Sequence, residues 1–169
     1  MKKKYFACGL ILIEWIIQIL GIVNFDACPP FLWSLADALI FLVPVMFGIG
    51  LGLACLLPVA VSEFIWFFSF HSVGALLHLA SFVIAVIILG AANKKLCQAA
   101  ESHRIICSVL LFIAVWIGEE ALYRALVALF LQHPFAWEDV FESMLSPITI
   151  LPVMVLVWFI RIDKRAASE

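Results

Sequence analysis

Residues 118–124 read GEEALYR, two glutamates and an arginine inside a long apolar stretch. Glu120 and Arg124 are four apart, so on a helix their side chains meet on one face, acid before base, which is the favourable order. Pairing neutralises two charges that would each cost roughly 2.5–3.5 kcal/mol in a membrane. Such an intramembrane ion pair is expected to face the interior of a helix bundle. Glu119 points about 100° away and needs a proton or another partner, either His78 or a residue near a mouth of the bundle. The competing reading is an active site within the membrane. Glu14, Asp37, Glu63 and His78 are the other ionisable side chains in apolar surroundings. Asp37, Glu63 and His78 read as inward-facing and paired, not as catalytic. Glu14 and Gln18 share a face of the first helix and read as a polar seam against neighbouring helices, or else as a partner or ligand face.

The elements that carry these residues follow from composition. The chain has 169 residues, 66% of them hydrophobic and 13% charged, with a mean hydropathy of +1.19. A soluble domain is roughly half apolar and about a quarter charged. Several apolar runs reach the roughly 20 residues a helix needs to cross a bilayer. They are continuously apolar instead of alternating, which sets a transmembrane barrel aside. The expectation is an all-α integral membrane protein. The run from Tyr5 to Val23 follows MKKK. It exceeds the about 7 to 15 residues of a signal-peptide core and no small-residue cleavage site follows, so it reads as a retained span. The five cysteines (Cys8, Cys28, Cys55, Cys97, Cys107) show neither metal spacing nor CxxC and read as structural.

Charge gives the topology. Lys2, Lys3 and Lys4 open the chain, Lys94, Lys95 and Arg104 bracket AANKKLCQAAESHR, and Arg161, Lys164 and Arg165 close it. Short cytoplasmic loops are enriched in Lys and Arg, so all three clusters are expected inside, with an even number of spans between them. The breaks NFDACPP and SFHS and the outward acidic loop QHPFAWEDVFES then predict six transmembrane helices in one bundle. The spans fall near 5–23, 31–47, 49–68, 72–91, 105–131 and 144–160, with both termini cytoplasmic. The turn between the second and third spans lies somewhere in PVMFGIGLG. Trp15, Trp33, Trp66 and Trp137 read as interfacial anchors. Pro44, Pro58, Pro147 and Pro152 read as kinks whose freed carbonyls neighbouring helices cover. Gly48, Gly50, Gly52, Gly74, Ala75, Ala121 and Ala125 are expected to permit close helix approach.

EExxxR resembles the first motif of the CAAX-protease-like membrane endopeptidases, and that resemblance would make Glu119, Glu120 and Arg124 catalytic. The family's later FxxxH and HxxxN or HxxxD motifs are missing: only His133 follows Arg124, while His71 and His78 lie upstream. HExxH and GxSxG are absent too, so no catalytic set is expected.

The layout as a whole resembles the bacterial rod-shape-determining protein MreD family. FSFHSVGALLHLASFVIAVII is similar to the family's serine-bearing turn and following helix. LFLQHPFAWEDVFESMLSPITILPVMVLVWFIRIDKR is similar to its final third, and WIIQILGI suits its first helix. The family carries an aspartate just before the serine-bearing turn, where SEFIWFFSF offers Glu63 several residues earlier. The resemblance implies a non-enzymatic inner-membrane component of the bacterial elongation machinery, supporting cell-shape maintenance. Its partners would be membrane lipid, an MreC-like single-span protein and, indirectly, peptidoglycan synthases and an MreB-like filament. It also implies a fold similar to the substrate-binding subunits of energy-coupling-factor transporters, so a membrane-embedded vitamin-type binding subunit is the alternative. Those subunits carry AxxxA on the first helix. Here the comparable spacing, Ala121 to Ala125, falls on the fifth. No cofactor, metal or nucleic-acid partner is expected.

Overall fold

The computed structural model describes residues 2–23, 30–137 and 150–168, and among these residues it is helical with no strand. The helices are α1 (Lys2–Val23), α2 (Pro30–Phe47), α3 (Ile49–Cys55), α4 (Leu57–Phe70), α5 (Val73–Leu96), α6 (Glu101–Leu131) and α7 (Ile150–Ser168). Among the described residues three stretches are long and apolar enough to cross a membrane: Tyr5–Val23, Val73–Leu96 and Glu101–Leu131. The pair α3 and α4, bent by 43°, makes a fourth if counted as one span, and the apolar helices Leu35–Phe47 and Leu151–Ile162 are shorter. The first part of the expected sixth span, 144–149, lies outside the described residues, as do Cys28 and Pro147.

The centre of the bundle is α2. Residues Ala38 to Met46 are buried without interruption, as befits a helix apolar on every side. Phe41 packs its ring 5.5 Å from Phe82 and 5.8 Å from Trp116, tying α2 to α5 and α6. Each of those two helices turns one stripe inward. On α5 the stripe is Ala75, Ser81, Phe82, Ala85, Val86, Leu89 and Gly90, at the three-and-four spacing of a single helical face. On α6 it runs Arg104, Ser108, Phe112, Trp116, Glu119. The opposite faces present Ile84, Ile87, Ile88, Leu110 and Ile113 outward. Phe6 stacks on Phe159 at 5.9 Å and meets Phe47 at 6.4 Å, bringing the start of α1, the end of α2 and α7 together at one end.

Two helix breaks shape the site. Gly48 separates α2 from α3 with φ 92 and ψ 180, a conformation that side chains disfavour and glycine accepts. The last carbonyls of a helix lack intrahelical donors, and here Asn93 Nδ2 donates to the Val45 carbonyl at 2.6 Å. α5 presses closely on this turn: a Cβ on Gly90 would stand 2.6 Å from the Ile49 backbone nitrogen. The second break, at Leu56, divides the expected third span into α3 and α4. Pro58 has no N–H for the Ala54 carbonyl four residues back. Trp15 Nε1 donates to that oxygen at 3.1 Å, beside a backbone N–H at the break that also reaches it. Trp15 is therefore not an interfacial anchor. It sits mid-helix and braces a proline kink.

α6 begins four residues before the expected start of the fifth span, so Arg104 lies in its first turns and is 4% exposed, not in a solvated loop. Among the described residues Cys8, Cys55, Cys97 and Cys107 are free thiols.

Candidate intramembrane polar site

The ionisable residues singled out in the sequence gather toward one end of the bundle, around the first turns of α5. His78 lies two turns into α5, and its Nδ1 is 2.7 Å from Glu63 Oε1 on α4. Its ring is held between Phe82, at 4.5 Å, and Tyr123, at 4.7 Å. Glu63 and His78 thus satisfy each other, and two aromatic rings fix the imidazole.

One turn further along α5, the Ser81 hydroxyl donates to Glu119 Oε1 at 2.5 Å and also approaches the His78 carbonyl at 2.7 Å. Glu119, at 5% exposure, is the inward carboxyl of α6. It lies deeper than the Glu120–Arg124 pair that was expected to face the interior. Arg124 Nε donates to Glu120 Oε1 at 2.8 Å, with the glutamate side chain 14% exposed and the arginine 38%. The reason is the register of α6. Arg104, Ser108, Phe112 and Trp116 set a stripe that reaches Glu119, and Glu120 lies one residue off it. The partner of Glu119 is thus a serine that the sequence reading did not single out.

Glu14 is completely buried, and neither of its carboxyl oxygens has a hydrogen-bond partner among the described residues. The Cys55 thiol lies beside it. Gln18, one turn on, is 4% exposed and borders a cavity of about 430 Å³ together with Asp37, Glu63, Trp66, His78 and Tyr123. Asp37 therefore joins Glu63 and His78 around one space, drawn from three different helices.

The small residues divide in function. Gly52 packs internally, where a Cβ would meet Pro44 at 2.6 Å, Gly48 makes the turn, and Gly74 and Ala75 border the cavity. Gly50 and Ala125 are exposed and Ala121 is half-buried. The roles of Gly90 and Gly118 are not legible in the sequence, because an isolated glycine in an apolar run carries no local signal of what approaches it. Gly118 lines a second, smaller hollow of about 210 Å³ between α5 and α6 with Ser81, Ala85, Ala114 and Glu119. A Cβ at Gly118 would meet nothing within 4 Å.

Chemically, the acids of GEEALYR are engaged by Ser81 and Arg124. Among the described residues no three His, Cys, Asp or Glu side chains come together as a metal-holding group. The chain is a helical protein with several apolar helices of membrane-crossing length, and it matches no family model, no curated protein and no solved structure.

Proposed function

We propose that this chain is a non-enzymatic multi-pass component of the bacterial inner membrane that holds a partner's transmembrane helix, as an MreD-like member of the elongation machinery would. In this reading six helices cross the bilayer and both termini are cytoplasmic. The partner is an MreC-like single-span protein, through which peptidoglycan synthases and an MreB-like filament are reached and cell shape is maintained. The meeting of Phe6, Phe47 and Phe159 at one end, with Asn93 reaching Val45 ahead of the Lys94–Lys95 pair, supports an even number of crossings between the basic clusters.

One observation carries the reading: the hollow between α5 and α6, lined by Ala85, Ala114, Gly118, Ile84 and Ile88 together with Ser81 and Glu119. Lipid offers no hydrophobic gain for helix association, so helices join where small residues let backbones approach. Here the space beside Gly118 is open and most of the lining is apolar.

A tagged protein drawn from its native membranes in mild detergent tests this, alongside Gly118→Leu. The expected result is recovery of a single-span, coiled-coil envelope protein with cell-wall synthases. The leucine variant, which has room to fold, should lose them. The cavity beside Asp37 favours a second reading, the small-molecule-binding subunit of an energy-coupling-factor transporter. Co-purification of ATPase and transmembrane coupling subunits would replace the first reading with that one.

A further inference from the structure

The cavity of about 430 Å³ lies within the range of small-molecule sites, roughly 300–1,000 Å³. Its polar walls are unevenly satisfied. Glu63 and His78 are spent on each other at 2.7 Å, and the ring of His78 is pinned by Phe82 and Tyr123. The Asp37 carboxyl, by contrast, makes no hydrogen bond among the described residues. The Gln18 amide, only 4% exposed, also borders the cavity and makes none among those residues. A buried amide left without a partner is costly, and a carboxylate inside a membrane protein costs more unless a positive charge meets it.

The lining answers which charge is wanted. No lysine or arginine borders the cavity; Arg124 donates to Glu120 at 2.8 Å, with its guanidinium 6.0 Å from the centre of the Tyr123 ring. Trp66, Phe82 and Tyr123 supply aromatic surface, on which cations sit favourably. A bare metal ion is not suited, because no three metal-ligating side chains converge among the described residues.

We propose that this cavity binds an organic ammonium group, held by the Asp37 carboxylate and the Gln18 amide oxygen, with its carbon skeleton against Trp66 and Tyr123. The ammonium group belongs either to a free amine or to the ethanolamine headgroup of a lipid, which offers the same chemistry. The site stands on the cavity alone and holds whichever partner set the chain has.

The test uses the full chain in nanodiscs of phosphatidylglycerol, titrated with benzylammonium, benzyl alcohol and benzoate, three probes of one shape and different charge. Benzylammonium is expected to bind saturably at one equivalent, at least tenfold tighter than the alcohol or the carboxylate. Asp37→Asn should weaken benzylammonium at least tenfold and leave the alcohol unchanged. Gly74→Leu, where a new Cβ meets nothing nearer than 3.6 Å, fills the cavity and should abolish binding even if the aspartate variant does not fold. Equal binding of the three probes, no saturable binding, or affinity indifferent to both substitutions overturns the proposal. Repeating the titration with phosphatidylethanolamine in the disc identifies the source. Competition that weakens benzylammonium assigns the site to the lipid headgroup, and an unchanged affinity assigns it to a soluble amine. Because purified protein alone is used, failure here is distinct from failure to recover a partner.

Discussion

The Trp15 indole and the Ala54 carbonyl are joined by a hydrogen bond of 3.1 Å across two helices, at the oxygen to which Pro58 has no N–H to offer. In lipid, a freed backbone carbonyl must be satisfied within the protein. A proline at the start of α4 is thus linked to a side chain in the middle of α1.

That coupling is measurable. Trp15→Phe keeps most of the packing and loses the donor, at an expected cost of about 1 kcal/mol in detergent unfolding. In a Pro58→Ala background a backbone N–H becomes available, and the cost of Trp15→Phe should fall toward zero. Equal costs in both backgrounds would separate the indole from the kink.

Gly90 and Gly50 make a contrasting pair. A methyl on Gly90 would collide with backbone of Ile49 at 2.6 Å, whereas nothing lies within 4 Å of one on Gly50. Gly90→Ala should destabilise by about 1–3 kcal/mol through overpacking, and Gly50→Ala should stay within about 0.5 kcal/mol. Thermal unfolding followed by size-exclusion fluorescence would rank the two, and a reversed order would contradict the packing described.

The buried bond between Ser81 and Glu119 predicts an asymmetry. Ser81→Ala strands a carboxyl at 5% exposure and should cost about 1–3 kcal/mol. Glu119→Gln keeps an oxygen for the serine and should cost less. If folded yield drops more for the glutamine variant, a charge at Glu119 matters to the fold and the neutral acceptor does not suffice.

Glu63 and His78 form a pair suited to a double-mutant cycle. With Glu63→Leu and His78→Phe, an interaction of about 1–2 kcal/mol is expected. Strict additivity would mean the 2.7 Å contact contributes nothing to stability, leaving both side chains to the cavity.

The helical class, the turn at SFHS and the pairing partners Glu120 and Arg124 are written locally, in continuous apolar runs, polar breaks and an i, i+4 spacing. So is the need for every charged side chain among the spans to find a partner. The sequence does not state which partner each one takes. Leu110 faces outward and Phe112 inward on the same helix, yet both are apolar, because lipid and protein core demand the same side chains. Amphipathic patterning, which marks the inner face in a soluble protein, is therefore faint here. Only the tertiary structure turned Glu119 inward and left Arg124 partly exposed, put Trp15 against a proline kink, and gathered Gln18, Asp37, Glu63 and His78 from four helices around one cavity. Those contacts join residues far apart in the chain, and helix rotation within the bundle decides them.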